Sequence, residues 1–238
     1  MKAILLAAGL GTRLRPITDT LPKCLVPIHG RPLLEYWLDL LLESEISEAL
    51  VNIHYFPEQV RDFCQQSKWH RRIRLVHETD LLGTGGTVLR NRGFFGRDPI
   101  LVAHADNLSR FSVKEFLNSH RDRPATSALT MMTFQTDSPE SCGIVKLDQR
   151  GVVTEFHEKS ANPPGNIANG AVYIFEPEVI DFMESLNKSF IDLSTEVIPQ
   201  FVNRISTFQN TGYHRDIGTP LSLKLAHAEF RGSPPSVP

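Results

Sequence analysis

The sequence predicts an α/β fold with a mixed, mainly parallel, Rossmann-like central sheet flanked by helices. The continuous apolar run Ala3–Ala8 is typical of a strand buried on both faces of a sheet. Strand-like and helical runs then alternate over the first hundred residues, which indicates parallel strands joined by crossover helices. The second half carries strand-like runs separated by turns, which favours a mixed or antiparallel sheet added to the first unit.

Periodicity gives the elements of the first half. Nearly every position of Leu33–Leu42 is apolar, and Glu35 and Asp39 lie four residues apart, so this segment is predicted as a buried helix with one polar stripe. The other predicted elements of this half are strands at Ala49–Ile53, Ile73–Val76 and Ile100–Ala103, and helices at Pro57–Gln66 and Gly86–Arg92.

The last helix of the second half has a clear start, because Thr219 is a good N-cap and Pro220 suits the first helical position; it runs to about Phe230. We expect one domain over residues 1–230, and a flexible tail over 231–238. The remaining predicted elements are strands at Ser127–Phe134, Gly143–Leu147, Val152–Phe156, Ala171–Phe175 and Arg204–Phe208, and helices at Glu178–Ser185 and Ser194–Phe201.

Composition excludes several classes of protein. The 238 residues are 41% hydrophobic and 22% charged, the usual mix of a globular chain. The formal net charge of −2 gives no general attraction to nucleic acid or to an anionic membrane, and no apolar run approaches the ~20 residues of a membrane span. Cys24, Cys64 and Cys142 are odd in number and far apart, which is typical of reduced thiols in a cytoplasmic protein.

A glycine-rich loop, GLGTRLRPITDTLPK, directly follows the first predicted strand. Glycines at that place bring backbone N–H groups close to a bound phosphate or nucleotide. The loop lacks the lysine pattern of a P-loop, and Leu14 stands where the Rossmann fingerprint needs a third glycine, while Pro16 and Pro22 oppose a helix. Arg13 and Lys23 supply cations suited to a polyphosphate.

This loop resembles the signature G-x-G-T-R-x-x-P-x-T-x-x-x-P-K of the sugar-1-phosphate nucleotidyltransferases. The resemblance implies a glycosyltransferase-A-like nucleotidyltransferase fold, with a nucleotide-binding half over 1–110 and a sugar-binding half over 111–230. It also implies formation of an NDP-sugar and pyrophosphate from a nucleoside triphosphate and a sugar 1-phosphate. The matching positions are Gly9, Gly11, Thr12, Arg13, Pro16, Thr18, Pro22 and Lys23.

A second glycine-rich segment, LLGTGG at 81–86, resembles the second nucleotide loop of the family, in the form found in guanylyltransferases that act on mannose or heptose 1-phosphate. Glu78 is then expected to accept the N1–H and N2–H donors of guanine, with a position on the rim of the site as the alternative. The resemblance assigns nucleotide binding to Leu6, Ala8, Gly9, Gly11, Thr12, Glu78, Gly83 and Gly85.

Two aspartates resemble the metal ligands of the family. Asp106 follows the strand Ile100–Ala103, and Asp216 lies in an Asp-x-Gly-Thr-Pro segment. The resemblance implies that both bind Mg²⁺, a hard cation that takes one or two carboxylates together with phosphate oxygens. His104 replaces the usual asparagine of the first motif and is expected to pack behind the site; His214 stands where the second motif carries an aromatic residue.

The sugar side is expected in the second half. The segment FHEKS at 156–160 resembles the Phe-x-Glu-Lys-Pro motif of the family. By that resemblance Glu158 binds sugar hydroxyls, Lys159 holds the sugar phosphate, Asn169 bonds a hydroxyl, and the backbone of Gly143 meets the sugar ring.

Catalysis by such a site is expected to be positional and electrostatic, because a sugar phosphate is already ionised at neutral pH. Arg13 would neutralise the departing pyrophosphate, and Lys23 would bind the α-phosphate or the sugar phosphate. We expect a monomer or homodimer with nucleoside triphosphate and sugar 1-phosphate as its ligands. A uridylyl-, thymidylyl- or cytidylyltransferase, a non-catalytic regulatory relative and a NAD-binding dehydrogenase remain as alternatives, the last opposed by Leu14 and the two prolines.

Overall fold

A computed structural model describes residues 1–230, and within them nine strands form one sheet. The predicted tail, 231–238, lies outside the described residues. The first half contains β1 (Lys2–Leu6), β2 (Pro27–Ile28), β3 (Arg31–Pro32), α1 (Leu33–Leu42), β4 (Ala49–Ile53), α2 (Pro57–Gln66), β5 (Ile73–His77), α3 (Gly83–Arg90), α4 (Arg92–Phe95), β6 (Ile100–His104) and β7 (Asn107–Arg110). The second half contains α5 (Val113–Arg121), β8 (Leu129–Gln135), β9 (Gly143–Leu147), β10 (Val153–Glu158), β11 (Ile167–Phe175), α6 (Pro177–Ser185), β12 (Ile205–Gln209), β13 (Tyr213–Asp216) and α7 (Pro220–Glu229).

The strands run in the order β10-β9-β11-β6-β1-β4-β5, and β8 joins β11 to β12. β1 lies at the centre of the parallel part, between β4 and β6, while β11 is antiparallel to β6. The predicted mixed sheet is therefore confirmed. Because β6 comes from the first half and β11 from the second, both halves share one sheet.

Helices cover both faces of this sheet, which explains why β1 is apolar at successive positions. Ala3 and Leu5 pack into a cluster with Trp37 of α1, and Ile4 packs on the opposite face with Val88 of α3; all but Trp37, at 1%, are fully buried. Within residues 1–230, no helix has the length and apolar character needed to cross a membrane.

Two predicted helices differ from the structure. The helix expected at Gly86–Arg92 begins at Gly83 and ends at Arg90. Glycine has a weak helix propensity, so the sequence gives little sign of a helical turn over 83–86. In the fold, the N–H groups of Gly85 and Gly86 donate to the Ile191 carbonyl of a distant segment. The segment expected as one helix at Ser194–Phe201 is a π-helical turn, Leu193–Val197, followed by a 3₁₀ turn, Ile198–Phe201. Pro199 lacks the N–H that an uninterrupted α-helix would use there.

Several elements were missed in the sequence, among them α5 and the strands β7 and β13. The N-terminus of α5 carries a capping signal, since the Ser112 side chain accepts a hydrogen bond from the Glu115 N–H at 3.2 Å. The strands β7 and β13 pair antiparallel and align Asp216 with Asn107. This pairing matters for the site, because it carries a residue from the end of the chain to the end of β6.

The buried His120 predicts a pH-dependent loss of stability. Its Nδ1 lies 2.8 Å from Thr130 Oγ1 and its Nε2 3.1 Å from Glu176 Oε1. Burial, together with Arg123 and Arg121, lowers the pKa of His120 from 6.5 to about 4. His120 therefore binds a proton less readily in the folded chain than in the unfolded chain. Its contribution to the stability of the fold is fully present above pH 6.5 and is lost as the pH drops from 6.5 towards 4.

We expect this residue to remove about 3 kcal/mol from the free energy of unfolding by pH 4, at roughly 1.4 kcal/mol per pH unit. Denaturant unfolding of the wild type and of His120→Gln at several pH values measures it, and the variant should show a shallower pH dependence. His214, whose burial lowers its pKa to about 3, is present in both proteins and cancels from the difference. Parallel curves for the two proteins would contradict the prediction.

Candidate active site

A cluster of four charged residues lies beside the end of β6. The Lys23 ammonium is 2.9 Å from Asp106 Oδ2 and 3.1 Å from Asp216 Oδ1. An Arg13 guanidinium nitrogen lies 3.6 Å from the other oxygen of Asp216. The structure therefore brings together the two predicted catalytic residues and the two predicted metal ligands, although they are up to 203 positions apart in the chain.

The glycine-rich loop fixes Lys23 through its own packing. Gly11 has φ +64°, and a Cβ there would lie 2.8 Å from Thr18 Cγ2; Thr18 in turn donates its hydroxyl hydrogen to the Gly11 carbonyl. Leu14 anchors the loop because its side chain is fully buried. Lys23 begins a 3₁₀ turn and is only 5% exposed, so its position is set by the fold.

Burial by itself would raise the pKa of the Asp106 carboxyl, but Lys23, His104 and hydrogen bonds to the carboxylate outweigh it, and the pKa of Asp106 lies below its usual range. Asp106 therefore stays ionised at neutral pH. Lys23 engages one oxygen of each aspartate, and Arg13 lies beside the second oxygen of Asp216. Among residues 1–230 no third His, Cys, Asp or Glu joins them. Two neighbouring carboxylates fit Mg²⁺, a hard cation that takes one or two carboxylates and completes its shell with other oxygen ligands.

A cavity opens next to this cluster, along the ends of β1, β4 and β6. Glu78 is 5% exposed, and neither of its carboxylate oxygens has a hydrogen-bond partner among the described residues. A buried carboxylate without donors costs several kcal/mol, so a ligand that donates hydrogen bonds would stabilise it. The predicted residues lining the cavity are Leu6, Ala8, Gly9, Lys23, Glu78, Gly83 and Asp106. Three predicted nucleotide-binding residues, Gly11, Thr12 and Gly85, are not part of the lining that the structure describes.

Several lining residues were not identified in the sequence. Asn52 accepts a hydrogen bond from the Ala7 N–H at 2.7 Å and donates to Thr87 Oγ1 at 3.4 Å, so it ties the start of the glycine-rich loop to α3. A polar residue inside the buried strand ALVNI was the available signal. Leu81 and Phe190 also line the cavity and remain 40% and 57% exposed.

Both histidines of the metal motifs are buried. His104 lines the cavity, and its Nε2 is enclosed without a hydrogen-bond partner among the described residues. His104 therefore lies in the wall of the cavity, whereas the sequence predicted a position packed behind the site. The His214 ring packs against Phe134 with ring centroids 4.3 Å apart and the planes tilted by 49°, and its Nδ1 lies 2.6 Å from the Ser109 hydroxyl. The imidazole thus makes the ring contact expected of an aromatic residue at this position.

A distant segment passes across the second glycine-rich loop; we call residues 188–191 the strap. A Cβ on Gly83 would lie 2.5 Å from the Ile191 carbonyl oxygen, one on Gly85 would lie 2.7 Å from Ile191 Cγ2, and one on Gly86 would overlap the Ser189 carbonyl oxygen. These three glycines are therefore required by close packing of the strap.

The predicted sugar-binding residues form a second group, on β9, β10 and β11, outside the lining described for the cavity. Gly143 and Glu158 are paired across β9 and β10, and a Cβ on Gly143 would lie 2.7 Å from Glu158 Oε2. Burial raises the pKa of the Glu158 carboxyl; Lys159, 3.7 Å away, opposes this, and Asp192 adds to it. The Lys159 side chain is 69% exposed.

Asn169 lies at an irregularity in β11, where the pairing with β8 shifts between Asn169 and Tyr173. Its amide nitrogen donates to the Tyr173 hydroxyl at 2.7 Å, and its oxygen accepts from the Ala171 N–H at 3.0 Å. In this structure Asn169 therefore stabilises the bulge, which bends the strand and redirects its side chains.

Comparison with known proteins agrees with this geometry. Residues 2–232 match the Nucleotidyl transferase family, and the chain belongs to it. One relative is mannose-1-phosphate guanyltransferase 2 of Candida glabrata, which is 30% identical over 228 residues, or 92% of this chain and 62% of the relative. Another is the UTP–glucose-1-phosphate uridylyltransferase of a Synechocystis species, 30% identical over 217 residues, or 85% of this chain and 55% of the relative. The chain thus spans about six tenths of these relatives.

A solved structure shows the same fold. HddC from Yersinia pseudotuberculosis superposes with a TM-score of 0.80 at 24% identity, covering 97% of this chain and 99% of that one. A second structure of HddC contains GMP-PN and superposes with a TM-score of 0.78.

The close packing of the strap against Gly86 predicts that a methyl group at position 86 lowers the stability of the fold. Gly86→Ala forces the Cβ against the Ser189 carbonyl, and overpacking of this kind costs about 1–3 kcal/mol. We expect a melting temperature several degrees lower, since each kcal/mol is worth roughly 2–4 °C in a chain of this size. Gly93→Ala is the matched control, because a Cβ there meets nothing within 4 Å. Equal melting temperatures for the two variants would show that the strap yields without cost.

Proposed function

We propose that this protein transfers a nucleotidyl group from a nucleoside triphosphate to a sugar 1-phosphate and releases pyrophosphate. The proposed substrates are GTP and either mannose 1-phosphate or D-glycero-D-manno-heptose 1-phosphate. The observation that carries the proposal is the Lys23 ammonium held between Asp106 and Asp216 at the edge of the cavity. This arrangement suits a reaction in which negative phosphate groups meet and charge develops on a leaving pyrophosphate.

In this reaction an oxygen of the sugar phosphate attacks the α-phosphorus in line, and the bond between that phosphorus and the oxygen leading to the β-phosphorus breaks. Pyrophosphate leaves with the bonding electrons. The nucleophile is already ionised, so the protein needs no general base. Lys23, buried and fixed, binds the phosphate at the reacting centre, and Arg13, whose side chain is 68% exposed, stabilises the charge on the pyrophosphate.

Mg²⁺ is the proposed cofactor. Asp106 and Asp216 would hold it, and when bound it would supply positive charge to the phosphates. The meeting of the two carboxylates at the edge of the cavity supports this assignment, because Lys23 engages only one oxygen of each.

Glu78 supports guanine as the base. Its two oxygens lack donors, and guanine offers N1–H and N2–H as neighbouring donors to one carboxylate. The guanylyltransferase named among the relatives and the GMP-PN bound by HddC point in the same direction. The uridylyltransferase relative keeps UTP as the second candidate nucleotide.

Glu158, the last residue of β10, supports a sugar with free hydroxyl groups as the acceptor. A carboxylate can accept hydrogen bonds from two neighbouring hydroxyls. For location we propose the cytoplasm. The three cysteines are free thiols, and Cys24 and Cys64 are buried, which suits a reducing compartment.

The first experiment is release of pyrophosphate with Mg²⁺, crossing GTP, UTP, dTTP, CTP and ATP against the two sugar phosphates. A clear preference for GTP supports the full proposal, and the better acceptor identifies the sugar. Release of pyrophosphate with only a different nucleotide would support the nucleotidyl-transfer reaction but contradict guanine as the base. The absence of release with every pair would reject the proposed substrates.

Glu78→Gln tests the base contact. The amide loses one acceptor and introduces a donor facing the donors of guanine, so kcat/KM for GTP should fall by about 10- to 100-fold, the equivalent of ~1–3 kcal/mol, and the preference for GTP over UTP should narrow. Glu58→Gln on α2, where the side chain is 79% exposed, is the control. An unchanged GTP:UTP ratio would place Glu78 on the rim of the site.

Arg13→Ala tests stabilisation of the leaving group. Loss of one charged donor to a transition state typically costs ~3–4 kcal/mol, so kcat should fall by about 10²–10³-fold. KM for the sugar 1-phosphate should change little, because Arg13 is assigned to the pyrophosphate side. The exposed Arg71→Ala serves as the control. Equal losses in kcat and in sugar-phosphate affinity would rule out the assigned role.

A further inference from the structure

The strap is held to the second glycine-rich loop by backbone hydrogen bonds. The Ile191 N–H donates to the Leu82 carbonyl at 3.0 Å, and the Ile191 carbonyl accepts from the N–H groups of Gly85 at 2.8 Å and Gly86 at 3.2 Å. Just beyond the strap, the Leu193 N–H donates to Thr84 Oγ1 at 2.8 Å. The strap therefore has a fixed position relative to the start of α3.

This fixed backbone carries an exposed aromatic ring. Phe190 lies between Ser189, whose carbonyl sits against Gly86, and the buried Ile191, yet it is 57% exposed and lines the cavity. Leu81, 40% exposed, lines the same cavity. Large apolar side chains left open at the edge of a polar site are typical of ligand contacts.

We propose that Phe190 is a nucleotide-binding residue that stacks on the base of the bound nucleotide. The inference rests on the proposed function and adds to it a residue from the sugar-binding half of the chain. A purine presents a flat apolar face and hydrogen-bonding edges. Phe190 contacts that face while the Glu78 carboxylate reads the edge, and Leu81 adds apolar area at the same mouth.

The observations favour the base over the sugar ring as the partner of Phe190. Phe190, Leu81 and Glu78 line one cavity together with the glycine-rich loop. The predicted sugar-binding residues Glu158 and Lys159 are not part of that lining as described for residues 1–230.

The test is calorimetric binding of GDP, which cannot react, to the wild type, Phe190→Ala and Phe190→Trp. Stacking on a base is worth a roughly 5- to 150-fold change in affinity, so the alanine variant should bind GDP about 10- to 100-fold more weakly. The tryptophan variant should retain affinity and show fluorescence quenching on GDP addition, beyond any seen in the wild type with Trp37 and Trp69. Leu147→Ala, at an exposed apolar position outside the cavity lining, is the control.

Because Phe190 is exposed, thermal unfolding should be nearly unchanged in Phe190→Ala, and KM for GTP should rise more than kcat falls. Unchanged GDP affinity in Phe190→Ala would overturn the inference, as would a loss confined to the affinity for sugar 1-phosphate. If the wild type binds no guanine, uracil or thymine nucleotide, the proposed function fails together with this inference. If the wild type binds GDP and Phe190→Ala binds it equally well, only the stacking role fails.

Discussion

The ion cluster of Lys23 with Asp106 and Asp216 is the interaction on which the rest of the site depends. A lysine that is 5% exposed is unfavourable unless its charge is compensated, and two carboxylates provide that compensation. Each partner comes from a different part of the chain: the glycine-rich loop, the end of β6 and the end of β13. The cluster can form only when β13 has paired with β7, so the site requires the completed fold.

Charge is distributed unevenly around the cavity. Near the cluster, Lys23 and Arg13 oppose two aspartates, which suits phosphate groups and a divalent cation. Elsewhere in the cavity lining, Glu78 is buried without donors, and the apolar side chains of Leu81 and Phe190 are exposed. The lining therefore combines groups that suit anions with groups that suit a flat ligand rich in hydrogen-bond donors, as the proposed purine nucleotide requires.

Sequence patterns predicted the parts of the molecule in which local composition determines structure. The apolar run of β1, the helix Leu33–Leu42 and the Thr219 cap follow from propensity and periodicity, and all three are present. The family motifs likewise identified the residues that meet at the ion cluster: the glycine-rich signature contains Arg13 and Lys23, and two further motifs contain Asp106 and Asp216. Of these three elements, β1 ends two residues before the predicted end, because the Ala7 N–H donates to the Asn52 side chain instead of to a neighbouring strand.

Features set by contacts between distant segments could not be predicted in this way. The glycines at 83, 85 and 86 pointed to nucleotide binding, but their packing against Ile191 and Ser189 is invisible in one sequence. Asn169 matched a sugar-binding motif, and only the fold shows its amide engaged with Tyr173. Phe190 lies outside any periodic run, so nothing in the sequence separates it from an ordinary surface residue.

The close packing of the strap divides the residues around the cavity into those that can and those that cannot be redesigned. The backbone at 83–86 is committed to its contact with 189–191, so side chains added there would disturb the architecture before they altered selectivity. The side chains at positions 78, 81 and 190 line the cavity, and none of them fills the space that the three glycines leave to the strap. An engineer who wishes to change the accepted base should vary these three positions together and leave the glycines untouched.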